Sequence, residues 1–251
     1  MRLTVLGKSP SWQDADGACS GYLVEEDGLR LLLDCGSGVF GKLRTVADYL
    51  EVDVVVISHL HADHFIDLVP YAYALTYGPR RREAPPVLHA PPGSIECWRQ
   101  VVGAWGNDDL IEAAFAIREY DPAETLHAGP LTIRFQPVPH FLPANAVDFV
   151  AAAGGRFTFG ADHGPSPELC AFAEGTDLLM LEATLEKPER VGMRGHITAE
   201  EAGEHAARAG AARLVITHVS DELDLEAARA AAERTFGRRV DLAVAGASYD
   251  L

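Results

Sequence analysis

The stretch Ser58-His59-Leu60-His61-Ala62-Asp63-His64 decides how the rest of this 251-residue chain is read. Three imidazoles and a carboxylate fall within six residues, directly after the apolar run Val54-Val55-Val56-Ile57. Four β-branched residues in a row predict a buried strand. A strand that stops there delivers the polar cluster to a sheet edge, where ligands can converge. Neutral imidazole and carboxylate are the ligands that zinc and similar divalent ions prefer. A His-rich surface loop is the plainer alternative. Ten histidines in 251 residues seldom place three in one turn beside an aspartate.

Spacing says more than the count. His59 and His61 are two apart, so in an extended segment they face the same side. Asp63 and His64 follow where the chain turns into a helix. Four ligands so close crowd a single ion. Two ions side by side resolve this, with His59 and His61 on one and Asp63 and His64 on the other. Further ligands must come from farther along, and three polar residues follow strand-like runs. His140 follows Leu131 to Pro139, Asp162 follows Arg156 to Ala161, and His218 follows Leu214 to Thr217. Singly, each reads as an ordinary strand-end residue. Together they complete a set of seven: His59, His61 and His140; Asp63, His64 and His218; and Asp162 as a bridge.

With these residues in this order the chain resembles the metallo-β-lactamase superfamily, whose signature is H-x-H-x-D-H. Within it the chain looks most like the tRNase Z branch, especially the short members that act as bacterial cyclic-nucleotide phosphodiesterases. The segments that carry this are Leu3 to Gly7, Ser20 to Val24, Asp34-Cys35-Gly36-Ser37-Gly38, Glu182-Ala183-Thr184, and Gly195-His196-Ile197-Thr198-Ala199-Glu200-Glu201-Ala202. The resemblance covers essentially the whole chain. It implies an α/β fold, a four-layer αββα sandwich formed by residues 1–251 as one domain, with the site at one edge between two sheets. It also implies that His196, 22 residues before His218, serves a phosphodiester leaving group. Two positions depart from the pattern. Leu181 replaces the first histidine of the branch's H-E-A-T motif, and His163 follows Asp162 where relatives often carry threonine. His163 is read as touching substrate or facing solvent, outside the ligand set.

Composition narrows the substrate. The net charge is −16. Tight nucleic-acid binding is mostly phosphate neutralisation by Lys and Arg, so stable nucleic-acid binding is not expected. Arg80-Arg81-Arg82 is the only basic cluster, and its proline-rich flanks read as a solvated loop. The four cysteines lack C-x-x-C spacing, and reduced cytoplasmic thiols are the default. No secretory signal and no membrane segment of roughly 20 apolar residues is expected. A homodimer is compatible with the sequence but not required by it.

Strands are predicted near 2–6, 21–25, 29–34, 53–57, 115–119, 131–138, 147–151, 156–160, 178–181, 213–217 and 240–244, with a short one between Pro86 and Pro91. Helices are predicted near 38–49, 64–77, 94–103, 165–174, 198–209 and 224–236. Thr198 with Glu201 has capping-box spacing, Asp224 is a second cap, and Gly210 and Gly237 supply stops. The elements form two similar halves without a linker.

The chemistry expected is hydrolysis by a water that bridges two divalent ions, zinc first, with manganese or iron as alternatives. Asp63 is expected to ligate and to orient that water, and His196 to protonate the departing alkoxide. Asp34 and Glu182 are candidates to hold the imidazoles. The leading reading is a phosphodiesterase for a small substrate such as a cyclic nucleotide. The alternatives are a tRNase Z-like endoribonuclease without its tRNA-binding arm, and a carboxyl-ester or lactone hydrolase. His140 and Asp162 are 22 residues apart, which leaves no room for such an arm.

Overall fold

The computed structural model describes residues 1–251. Its first sheet takes β1 (Arg2–Gly7), β2 (Gly21–Glu26), β3 (Leu29–Leu33), β4 (Val54–Val56), β5 (Val87–Ala90) and β6 (Ala116–Glu119) in that spatial order. The second takes β7 (Leu126–Ala128), β8 (Leu131–Val138), β9 (Ala144–Ala151), β10 (Arg156–Phe159), β11 (Leu178–Glu182), β12 (Arg213–Thr217) and β13 (Val240–Leu242). The last strand, β14 (Ser248–Asp250), returns to the first sheet and pairs antiparallel with β1. Each sheet is half antiparallel and half parallel. β1-β2-β3 and β7-β8-β9-β10 are antiparallel, whereas β3-β4-β5-β6 and β10-β11-β12-β13 are parallel. This is the physical form of the two similar halves.

Side-chain alternation explains the layering. Leu31 and Leu33 of β3 enter one core while Leu32 enters another, and Val54 and Val56 of β4 part from Val55 in the same way. A strand that is apolar on both faces must be covered on both. The inner core lies between the sheets, where Tyr22, Leu33 and Val56 meet Phe149, Phe159 and Met180. The outer face of the first sheet is covered by α1 (Val39–Val46), α2 (Ala62–Phe65), α3 (Leu68–Tyr77), α4 (Ser94–Gly103) and α5 (Leu110–Ala114). That of the second is covered by α6 (Pro167–Phe172), α7 (Ala199–Ala209) and α8 (Leu225–Phe236). Three cores between four layers make the αββα sandwich.

Local signals that depend on neighbouring residues hold. Thr198 and Glu201 form a reciprocal capping box at α7, Asp224 caps α8, and Gly210 and Gly237 end these helices in the left-handed region. One predicted helix, 64–77, is instead two. The Asp67 N–H donates to the Cys35 carbonyl at 3.0 Å, and the Cys35 N–H donates to the His64 carbonyl at 2.7 Å. The β3–α1 loop thus captures groups that would continue the helix, and Pro70 has no N–H to restore it. The short elements α5, β7 and β14 were not predicted; three to five residues carry too little periodicity. β9 starts at Ala144 rather than 147, because it pairs residue for residue with β8 from Leu131 to Val138.

Candidate metal centre

All seven residues named from sequence, and His196, come to one rim between the sheets. His59 follows β4, His140 follows β8, Asp162 follows β10 and His218 follows β12, so strand ends from both sheets supply the groups. A lone bridge between His59 and Ala144 and a 3.2 Å bond from the Asn145 N–H to the Ser58 carbonyl join the sheets there. Asp34, Ala161 and His218 take φ values of 56°, 53° and 54°. Left-handed backbone at a non-glycine residue costs on the order of 1–3 kcal/mol and persists where surrounding structure compels it. Here it turns the chain sharply at three strand ends beside the cluster. Gly36 has a related role: a Cβ there would overlap the Asp63 carbonyl, so its absence lets the β3–α1 loop lie against α2.

Two groups of side chains have donor atoms close enough to share an ion. One is His59, His61, His140 and Asp162; the other is Asp63, His64, Asp162 and His218. Asp162 belongs to both. Its Oδ2 lies 3.8 Å from His59 Nε2, 3.9 Å from His140 Nε2 and 3.4 Å from His218 Nε2, while its Oδ1 lies 3.4 Å from His64 Nε2. Asp63 Oδ2 lies 3.2 Å from His218 Nε2 and 3.5 Å from His64 Nε2. His61 turns Nδ1 toward His140 Nε2 at 2.9 Å.

Four of the imidazoles are fixed from behind. His64 Nδ1 donates to Asp34 Oδ2 at 2.7 Å. The Ser58 hydroxyl donates to the same carboxylate at 2.8 Å and accepts from His59 Nδ1 at 3.0 Å. His140 Nδ1 donates to the Gly195 carbonyl at 2.7 Å, and His218 Nδ1 to Thr184 Oγ1 at 2.8 Å. With the proton on Nδ1, each Nε2 presents a bare lone pair to the cluster. His59 Nε2 and His64 Nε2 are buried there without a hydrogen-bond partner. A buried unpaired polar atom costs about 1–3 kcal/mol. Convergent lone pairs beside two carboxylates fit divalent cations.

The two carboxylates draw positive charge to the cluster, either a second proton on His64 or a cation that displaces it. Burial pushes the His64 imidazole down, but the charges of Asp162 and Asp34 outweigh it and hold it well above its ordinary value. Burial pushes the Asp162 carboxyl up, but His218 and His64 outweigh that and keep it well below the carboxylate range. Burial, then the charge of His64, outweigh Asp162 at His59 and drive it well below its ordinary value, so it is a neutral donor.

His196 stands beside the cluster, its ring centroid 5.0 Å from that of His140 and 5.8 Å from that of His218. Its Nδ1 lies 3.0 Å from both oxygens of Glu182. Burial pushes its imidazole down, but the hydrogen bond and charge of Glu182 outweigh it and raise the value to about 9. Glu182 also receives the His163 N–H at 2.6 Å and the Thr184 hydroxyl at 2.6 Å. Donor atoms of Glu182, His196 and His218 could also share an ion, yet their hydrogen bonds account for them. The Thr184 hydroxyl, accepting from His218 and donating to Glu182, ties a cluster imidazole to the partner of His196.

Glu182 and Asp34 hold imidazoles as their motifs imply, whereas the roles of Ser58 and Thr184 appear only in the fold. Their signal was position only, since each lies within or next to a quoted motif. His163 needs correcting: it is fully buried, with Nδ1 on the Gly164 carbonyl at 2.8 Å, so it does not face solvent. His89 and His205 are buried and His127 is exposed, all outside the cluster. Arg80 and Arg82 are paired with Asp48 and Asp53, as a solvated loop would have them. Replacing Thr184 by Val keeps the shape and removes the hydroxyl. The Nδ1 proton of His218 then loses its acceptor, and metal affinity is expected to fall roughly 10- to 100-fold, as read by competition with a chromogenic chelator. Unchanged affinity would show that Thr184 does not orient His218.

Residues 29–219 match the family described as the β-lactamase superfamily domain. An uncharacterised protein of Mycobacterium leprae is 30% identical over an alignment covering 100% of this chain and 89% of that protein. The probable metallo-hydrolase YhfI of Bacillus subtilis is 28% identical over 98% of each chain. The crystal structure of YhfI superimposes with a TM-score of 0.88 at 27% identity, over 99% of this chain and 98% of that one. A ribonuclease Z of Halorubrum lacusprofundi is 27% identical over 90% of this chain and 89% of its own length. The family match over 29–219, the sandwich and the His/Asp clusters able to bind metals lead to one conclusion: the chain belongs to the metallo-β-lactamase superfamily, as a metallo-hydrolase of its tRNase Z-like branch.

Proposed function

We propose that this metallo-hydrolase is a phosphodiesterase that holds two divalent ions, zinc in the first place, and cleaves a small diester such as a cyclic nucleotide. The observation that carries this reading is the His196–Glu182 pair at the edge of the cluster. Cleaving an alkyl phosphodiester expels an alkoxide, a poor leaving group unless it is protonated. An imidazole raised to about 9 by Glu182 carries a proton at neutral pH and can give it up. Hydrolysis of a lactone or lactam on this fold does not require such a group.

Divalent ions held by His59, His61, His140, Asp63, His64, His218 and Asp162 would supply Lewis-acid charge and acidify a bound water. Asp63, one of these seven residues, would also accept a hydrogen bond from the attacking water and so set its direction. As the water oxygen bonds to phosphorus and the water's proton passes to solvent, the bond to the alkoxide breaks and His196, whose Nδ1 is held by Glu182, donates its Nε2 proton to the departing oxygen. Glu182 keeps the resulting imidazole in place and favours its reprotonation from solvent.

A small substrate fits the charge. Lys8 reaches the carbonyl of Val219, beside His218, but is paired with Asp14. Arg194, beside Gly195, is held by both oxygens of Glu201 at 2.7 Å. With these cations engaged and a net charge of −16, a long polyanion gains little. The reading therefore includes no stable nucleic-acid partner. No helix is long and apolar enough to cross a membrane. Four free cysteines favour a reducing cytoplasm.

Metal-replete protein assayed on 3′,5′- and 2′,3′-cyclic nucleotides, a bis-aryl phosphate, precursor tRNA and a lactone tests the reading. Turnover of a cyclic nucleotide well above the lactone and tRNA is expected. Preference for the lactone, or for precursor tRNA, would replace it. Elemental analysis of the same sample is expected to find two ions per chain; saturation at one ion would defeat the dimetal arrangement.

A further inference from the structure

Phe141 directly follows the buried His140, yet it is 51% exposed. Its ring centroid lies 5.2 Å from that of His140 and 5.7 Å from that of His196. One side of the ring is seated on Gly195, where any Cβ would overlap the ring atoms. The seat matters to the cluster, because the Gly195 carbonyl takes the Nδ1 proton of His140. Val191 and Met193, on the loop leading into Gly195, are also exposed. An aromatic ring is thus anchored from below, open above, and set at the His196 side of the metal centre. One exposed aromatic is ordinary on a protein surface, but this ring is fixed against Gly195 beside His140 and His196, where a substrate must approach the cluster.

We propose that the open face of Phe141 is the platform on which the nucleobase of the substrate stacks. This inference rests on the phosphodiesterase reading above. In a cyclic nucleotide the base stands one sugar ring away from the phosphate. A phosphate held at the cluster, with its leaving oxygen toward His196, directs the sugar and base to the side where Phe141 lies. Lys8 and Arg194 are engaged by Asp14 and Glu201. Every base has a π face, so stacking on Phe141 selects diesters that bear a base over those that do not. A phenyl ring offers no hydrogen bond, so it separates bases by stacking area alone. Purine substrates are expected to have lower KM values than pyrimidine substrates.

The test compares wild type with Phe141→Ala, Phe141→Leu and Phe141→Tyr, all metal-replete. Leucine keeps apolar bulk over Gly195 without a π face, and tyrosine keeps the face. Each is assayed on 3′,5′-cyclic AMP and on the base-less cyclic phosphate of propane-1,3-diol, followed by phosphorus NMR. Loss of base–aromatic stacking is expected to raise KM for cyclic AMP roughly 5- to 150-fold in the Ala and Leu variants. Tyrosine should restore it, and KM for the base-less diester should hardly move. Equal losses on both substrates would reduce Phe141 to a prop for Gly195 and overturn the proposal, as would an unchanged KM. If wild type cleaves neither diester, the phosphodiesterase reading fails first. Calorimetric binding of AMP against ribose 5-phosphate then decides the platform by itself. Weaker AMP binding in Phe141→Leu, with ribose 5-phosphate unaffected, supports it; equal AMP binding to wild type and variant overturns it.

Discussion

Asp162→Ala is expected to abolish hydrolysis and to release bound metal. Its two oxygens lie 3.4 to 3.9 Å from four different imidazole Nε2 atoms, so it is the one group shared by both halves of the cluster. Without it both groups of donors lose a carboxylate at once. Ions that bind only the folded state stabilise it by mass action, by roughly 4 kcal/mol at about 1,000 times Kd. Chelation should therefore lower the melting temperature of wild type and leave that of Asp162→Ala nearly unchanged. His61→Ala, which removes the half-exposed member of the other group, should behave alike at the site it lines. Elemental analysis and thermal melts with and without chelator check both. Full activity in either variant would show that the ligand assignment is wrong.

His196→Ala is expected to keep its metals and its fold while losing roughly 100- to 10,000-fold in rate on a cyclic nucleotide. The fold should hold because Glu182, its partner, retains the His163 N–H and the Thr184 hydroxyl. The loss should be far smaller on a bis-nitrophenyl phosphate, whose nitrophenolate leaves without a proton. The contrast is the decisive reading, since damage to the metal centre would slow both substrates alike. The sign of the pH dependence follows from the role: the charged imidazole is the acid, so the alkyl-ester rate falls as pH rises and deprotonates His196. The variant should lack that alkaline limb. Equal losses on both substrates would return His196 to a structural role and remove the main support for a phosphodiesterase over a lactone hydrolase.

Much of this centre is legible from residues close together in the chain. His59, His61, Asp63 and His64 sit at the junction of a strand and a helix, and both elements announce themselves by local pattern. The Thr198–Glu201 box and the Gly210 stop are also local, since a cap needs only the residues of one helical turn. His140, Asp162, His196 and His218 could be named because each ends or follows a recognisable element and the motif order is distinctive.

What the sequence by itself determined is therefore the type and order of the donors, the α/β layering and the family. Only the tertiary structure decided which partners hold those donors. Asp34 reaches His64 across 30 residues, Thr184 reaches His218 across 34, and His140 reaches the Gly195 carbonyl across 55. It also decided the break between α2 and α3, where the β3–α1 loop takes the hydrogen bonds a continuous helix would use, and it buried His163. The physical reason is common to all of these. Periodicity and capping are set within a few residues, where the backbone leaves few choices. A hydrogen bond between segments 30 or more residues apart depends on how strands and their connecting loops pack, and no local pattern encodes that distance.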